Sequence, residues 1–442
     1  MPTAFKKAGR TIERLIGADV QDGEWHLVLL FFANLFLLLA AYYILKVIRE
    51  PLILLSGGAV QRSYARGLQA VLLAMLVPAY SMLANRFEPA RLVKWIMGVF
   101  VVCLVTFFAL GQLGVPIGFA FFVWLGMFST LSIAQFWSLA NDVMTESEGK
   151  RLFPMVAAGG TIGGIAGAQI AARMINGVHP FHLMLVAAGL LGGCALLTHV
   201  THGAGASHRA RVPNGVSHER DSRGGFSLIL ADRYLLMIAI SVVVLNLINT
   251  TGDFILAQLV NAKAHTLAVG DRRHFIGAFY GDFQTYVSVL TAVVQILVVT
   301  RVFKSFGVGG ALLFLPLFAV SGYGASAFVP LLGLVATIKV VENSTEYSLQ
   351  NTIQQALFLP TSRDAKYKAK SAIDTVSVRL GDLGSTALVA IGAHLGLTVF
   401  GYAAANVIAG AVWIWVVIQL RRRQRLMSAP VVVVEREGEA AA

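Results

Sequence analysis

Runs of mostly apolar residues recur along the chain, continuously apolar rather than alternating, with short polar segments between them. They fall near 27–46, 67–85, 95–112, 118–141, 153–176 and 181–201, then near 235–260, 275–300, 307–326, 329–350, 372–393 and 398–420. A helix of about 20 such residues crosses a hydrocarbon layer of about 30 Å. Continuous runs satisfy their own backbone groups only as helices, whereas a barrel strand alternates lumen-facing and lipid-facing residues. The pattern predicts an all-α polytopic membrane protein with twelve transmembrane helices in two six-helix halves. A stretch rich in Gly, Ser, His and Arg, "THGAGASHRARVPNGVSHERDSRGGFS", separates the sixes and has the composition of a flexible linker. The expected organisation is an N-terminal segment 1–26, a first half 27–201, a linker 202–233, a second half 234–420 and a tail 421–442.

Composition agrees: 57% of the 442 residues are apolar and 13% charged, where a wetted globular surface needs about 25% charged. The net charge of +12 would suggest nucleic acid in a soluble chain, but most basic residues fall in loops, where topology accounts for them. With the N-terminus inside, the inner segments hold Lys6, Lys7, Arg10 and Arg14, then Arg86, Arg91, Lys94, Lys150 and Arg151, then the linker arginines and "RRRQR". Outer loops are left with Arg62, Arg66, Lys263, Arg272 and Arg273. Both termini are therefore expected in the cytoplasm, with the chain in a bacterial inner membrane. No apolar stretch directly follows the basic start, so no cleavable signal is expected. Cys103 and Cys194 each sit inside an apolar run as packing residues, and the pairs His179/His182 and His199/His202 lack acidic or Cys partners. No metal, cofactor or catalytic constellation is expected. "GGTIGGIAGA" at 159–168 lacks the lysine of a phosphate loop, and its Gly159, Gly163 and Gly167 repeat as a close-packing face.

Ionisable groups inside a span are costly and mark function by default. Here they cluster. The first span ends in Lys46, Arg49 and Glu50 before Pro51, which is expected to stop the helix; the fourth carries Gln135, Ser138, Asn141 and Asp142. The seventh carries Asn246, Asn249, Thr250 and Asp253 at helical spacing, and the tenth Lys339, Glu342 and Glu346. Two halves of six helices and a basic linker match the major facilitator architecture, whose halves rock about a midplane site, and "NRFEPAR" resembles that superfamily's basic loop motif. Spans one, four, seven and ten are the set that resemblance places around the central cavity. The plainer alternatives are that Lys46, Arg49, Glu50 and Asp142 snorkel at the interface, and that Lys339 and Glu342 neutralise each other one turn apart. Arg379 and Asp374 are secondary candidates, or partners of each other near a cytoplasmic gate.

"FWSLANDVMTESEGKRLFP" at 136–154 resembles the signature between the fourth and fifth spans of the ATP/ADP translocases, the nucleotide transporters of intracellular bacteria and plastids. Phe136, Trp137, Ala140, Asn141, Lys150, Arg151, Phe153 and Pro154 carry the likeness. "KYKAKSAIDTVSVRLGDLGS" is similar to the basic segment entering their eleventh span, and "YYILKVIREPL" to the end of their first, with Arg49-Glu50 in place of a Lys-Asp pair. The resemblance implies exchange of ATP for ADP on basic cavity residues. Asn249 stands where the family has glutamate, Asp253 and Glu346 where it has lysines, Asn351 where it has aspartate, and Gln354-Gln355 replaces a charged pair. Each change from cation to acid disfavours a polyphosphate by several kcal/mol at close range. The first expectation is a monomeric secondary transporter of a nucleotide or other anionic, phosphorylated solute, ATP and ADP included. The second is a proton-coupled carrier of another compound with Asp253, Glu342 or Glu346 as the protonation site, and the third a membrane scaffold or sensor.

Overall fold

A computed structural model describes residues 24–84, 89–175, 177, 179–209, 225–358, 361 and 369–428. Every regular element among them is helical. The first half contains α1 (Trp25–Ala84), α2 (Pro89–Gln112), α3 (Gly118–Val143), α4 (Glu146–Met174) and α5 (Pro180–Arg209). After the short α6 (Gly225–Ala231) come α7 (Arg233–His265), α8 (Val269–Val293), α9 (Val299–Ala311), α10 (Phe314–Phe328), α11 (Leu332–Thr345) and α12 (Asn351–Leu357). The last three are α13 (Lys370–Ala372), α14 (Val378–His394) and α15 (Val399–Ser428). Single π-helical turns, Val294–Val298, Glu346–Gln350 and Ile373–Ser377, join α8 to α9, α11 to α12 and α13 to α14.

α1 is two crossings. The expectation that Pro51 stops the first is not met: the helix continues through it and turns at Gly58, where φ is 68° and ψ −170°. A membrane helix tolerates an internal proline because neighbouring segments and local adjustment re-satisfy the freed backbone group. Gly58 occupies a left-handed conformation that a side chain resists. The second crossing therefore starts at residue 59, and Arg62 and Arg66, expected in an outer loop, lie on its first turns. Gly307, with φ 64°, turns the chain in the same way between the eighth and ninth crossings. Nine stretches among the described residues are long and apolar enough to cross a membrane, and Trp25–Leu76 spans the bend at Gly58. Counting both sides of that bend, with α10 and the polar α11, gives twelve crossings.

Each half has its own core. One cluster of buried residues comes from α1 to α5, including Phe31, Phe121 and Leu191; the other comes mainly from α7 to α15, including Ile255, Trp413 and Val417. α1 rests on α4 along the glycine face foreseen from the sequence. A Cβ at Gly159, Gly163 or Gly167 would lie 2.5, 2.3 or 2.2 Å from the carbonyl oxygens of Phe32, Phe36 and Ala40. Polar side chains fasten other pairs, as they do where lipid cannot hydrogen-bond. Asn34 Nδ2 donates to Thr198 Oγ1 at 2.8 Å, Trp413 Nε1 to Ser241 Oγ at 2.8 Å and Asn406 Nδ2 to the Ile248 carbonyl at 3.0 Å. Cys194 is buried, its Sγ donating to Asn34 Oδ1 at 2.9 Å.

The bundle has a linker end, where α5 runs out and α7 begins, and a Gly58 end. Described contacts between the halves include several on the Gly58 side. Gln169 Nε2 donates to Thr285 Oγ1 at 2.8 Å, and Thr386 Oγ1 to the Ser63 carbonyl at 3.2 Å. Gly281 approaches so closely that a Cβ there would lie 2.4 Å from the Ala172 Cβ.

Candidate functional site

Between the halves lies a cavity of about 60 Å³, lined from α1 by Lys46, Arg49, Glu50, Arg62 and Arg66 and from α7 by Asp253. Tyr280 and Gln284 of α8, Asn343 of α11 and Tyr347 of the following π turn also line it, with Val47, Leu256 and Phe283 as its apolar part. Because α1 doubles back at Gly58, its arms bring cations from both sides onto one carboxylate. Glu50 accepts from Arg49 Nη2 at 2.5 Å and Arg62 Nε at 2.7 Å, and all three side chains are buried. The Arg49 guanidinium also lies 4.0 Å from the centre of the Phe122 ring. Burial and pairing exclude the snorkelling alternative for Arg49 and Glu50.

A second ionic cluster joins the halves. Asp253 accepts from Arg66 Nη1 at 2.9 Å and lies 3.2 Å from Lys339 Nζ. Lys339 is fully buried and also pairs with Glu342 Oε2 at 3.0 Å, so the neutralisation foreseen for that turn is present. Tyr323 OH donates to the same Glu342 oxygen at 2.5 Å. Lys339 Nζ further donates to the Asn249 side-chain oxygen at 2.9 Å, while Asn249 Nδ2 donates to Glu346. Gly252 leaves room for this: a Cβ there would lie 1.8 Å from Tyr323 Oη.

Two groups at the site have no ion-pair partner among the described residues. Lys46 Nζ has only aromatic faces near it, 5.2 Å from the Tyr43 ring centre and 5.9 Å from that of Tyr42. Glu346 is held by the Asn249 amide and touches no cation within ion-pair distance. Tyr280 is buried, and its hydroxyl has no hydrogen-bond partner among the described residues.

Of the residues singled out from sequence, Lys46, Arg49 and Asp253 line the cavity, and Asn249, Lys339, Glu342 and Glu346 form the network behind Asp253. The fourth crossing does not join them. Asn141 is exposed at the linker end of α3, and the side chain of Asp142 lies outside the described set. Arg379 pairs with Asp382 at 3.3 Å rather than with Asp374. The helical spacing explains the correction, since Asp382 sits one turn along the same face. Asp382 in turn accepts from Thr250 Oγ1 at 2.8 Å, so this pair braces α14 against α7.

Arg62, Arg66, Tyr280 and Tyr323 were not foreseen. For the arginines the available signal was their four-residue spacing in "QRSYAR" just after a double glycine. The "TESEGKR" part of the signature serves local structure. Thr145 and Glu148 form a capping box that starts α4, and Arg151 Nη2 reaches Glu24 Oε1 at 2.8 Å. The basic stretch 362–368 and linker residues 210–224 lie outside the described residues.

Residues 207–424 match the TLC ATP/ADP transporter family. ADP,ATP carrier protein 1 of Chlamydia muridarum is 24% identical over 311 residues, 60% of this chain and 57% of the carrier. The Chlamydia pneumoniae protein of the same name is 23% identical over 310 residues, 60% of this chain and 58% of that one. The chain thus matches little more than half the length of these relatives. Among solved structures, the POT family transporter PepTSo superposes with a TM-score of 0.66 at 11% identity, covering 90% of this chain and 99% of its own. The nucleoside transporter NupG gives 0.62 at 14%, covering 90% and 98%. At these identities the likeness concerns fold, and the fold is major facilitator-like.

Proposed function

We propose, from the premise that the chain is a divergent relative of the ATP/ADP translocases, that it is a secondary transporter moving an anionic solute by alternating access. The observation that carries this reading is the charged cavity between the halves, with an ion pair in its wall, Arg66 to Asp253, that joins one half to the other. Charges are kept out of lipid at a cost of several kcal/mol unless they face a protein interior or an aqueous path. Ion pairs between two rigid halves can break and re-form as the halves rock. The site residues are Lys46, Arg49, Arg62, Arg66 and Tyr280 toward the solute, with Asp253 and Lys339 joining solute binding to closure. The linker and both termini face the cytoplasm of a bacterial inner membrane, and the turn after His265 faces outward. A cysteine at Arg272 is then labelled from outside by an impermeant maleimide and one at Arg220 is not; the reverse pattern rejects this orientation.

A second reading, proton coupling, is favoured by Glu346, a carboxylate with an amide but no cation in contact. Glu342 is already committed to Lys339 and Tyr323, which leaves Glu346 the better proton carrier of the two. The deciding experiment is uptake into liposomes containing the purified protein, with labelled phosphorylated solutes including ATP. Arg66→Ala should abolish accumulation while the protein remains folded; accumulation at the wild-type rate in that variant rejects the site.

A further inference from the structure

Toward the linker end from the cationic cavity lies a second pocket that shares Tyr347 with it. Its walls come from both halves: Leu35, Leu39 and Tyr43 of α1, Ile133 and Trp137 of α3 and the Gly160–Gly164 face of α4 on one side, and Ser288 and Thr291 of α8 with Tyr347 on the other. Most of this lining is apolar, and its threonine and serine hydroxyls are already in use, leaving the tips of Tyr43, Trp137 and Tyr347 as its remaining polar groups. Thr161 Oγ1 donates to the Ala157 carbonyl, Ser288 Oγ to Gln284 at 2.9 Å and Thr291 Oγ1 to Val287 at 2.7 Å, each within its own helix. Among the described residues no carboxamide or carboxylate lines the pocket. A pocket that reads a nucleobase needs free donors and acceptors aimed at the base edge, because that is how a site rejects close analogues.

The anion site beside it is equally specific about charge. Arg49 and Arg62 are held by Glu50, and Arg66 and Lys339 by Asp253. That leaves Lys46 as the cavity cation without a carboxylate among the described residues, with the buried, unpartnered Tyr280 hydroxyl lining the same cavity. A nucleoside triphosphate brings several negative charges and would have to displace those carboxylates. A single acidic group needs one ammonium and one hydroxyl donor, which is what is free.

We propose that the solute is an amphiphile with one acidic group, its head on Lys46 and the Tyr280 hydroxyl and its apolar body in the pocket of Tyr43, Trp137 and Tyr347. This rests on the transporter reading above and narrows its substrate class. The shared chemistry is a phosphate, sulfate or carboxylate on a hydrocarbon body, whether a membrane lipid or a soluble acylated metabolite.

The test uses the full chain in phosphatidylcholine nanodiscs and ω-bromooctyl phosphate, whose bromine quenches indole fluorescence on contact. Saturable quenching is expected, and it should be lost in Trp137→Phe, because the other tryptophans lie outside the pocket. Lys46→Gln should weaken binding by about tenfold, the loss of one charge-assisted contact, and Tyr280→Phe by less. Inorganic phosphate and ATP should compete poorly. Competition by added phosphatidate would identify the bilayer as the source of the solute, and competition by soluble octyl phosphate alone a free metabolite; both support the proposal. ATP displacing the probe more tightly than octyl phosphate does, or quenching that persists unchanged in Lys46→Gln, overturns it. Failure of the transporter reading has a different signature: the probe binds as described, but no labelled octyl phosphate crosses into liposomes.

Discussion

Glu50 holds two arginines in a place almost closed to water, with relative exposures of 2% for Glu50, 7% for Arg49 and 6% for Arg62. Such a triad gives little net stability over an apolar replacement, yet removing one member leaves buried charge unpaired. Glu50→Gln should therefore cost about 3–5 kcal/mol, read as a lower denaturation midpoint in detergent. Adding Arg49→Met and Arg62→Met should recover much of it; no loss in the single variant would mean that water reaches the triad. The place of Lys46, Arg49 and Asp253 at a cavity was legible from sequence because charges in an apolar run have few explanations. Arg62 and Arg66 were not, because their meaning depends on where α1 turns. With the helix stopped at Pro51 they fall in a loop; with the turn at Gly58 they point back at Glu50 and Asp253.

At the scale of elements, twelve crossings and their order could be read from apolar runs, since length and continuity are local properties. The glycine face of α4 could be read as well, because a four-residue repeat of small side chains has a direct geometric consequence. Which helices wall the cavity could not be read. The fourth crossing carries as polar a stripe as the seventh, but its Gln135 is buried away from the cavity and Asn141 lies exposed at its end. The second and eighth crossings take part through Arg62 and Arg66 and through Tyr280 and Gln284, a few polar residues in otherwise ordinary sequence. Gly163→Leu should prevent α1 and α4 from closing, because a Cβ alone would sit 2.3 Å from the Phe36 carbonyl oxygen; the folded yield on size exclusion should collapse. Gly189→Ala, with nothing within 4 Å of the added Cβ, should leave that yield unchanged. Equal behaviour of the two would contradict the packing described for α4.

At the scale of the molecule, each half is built mainly around its own core, and the two meet through ion pairs, hydrogen bonds and close packing such as Gly281 on Ala172, so they can move as bodies. If Glu346 carries the coupling proton, Glu346→Gln should abolish the response of uptake to an imposed pH gradient while the probe still binds. Glu342→Gln should instead lower stability, since Lys339 and Tyr323 lose their shared partner. A gradient response that survives in Glu346→Gln would remove that residue from the proton path. The central claim is that the Arg66–Asp253 pair holds the Gly58 end shut and that the halves rock about it. Its most direct test is spin-label distance measurement in nanodiscs, with one label pair at Val115 and Leu395 on the Gly58 end and another at His26 and Lys304 on the linker end. In Arg66→Ala the first distance should lengthen and the second shorten relative to wild type. Distributions that stay unchanged, or that shift in the same direction at both ends, would contradict it.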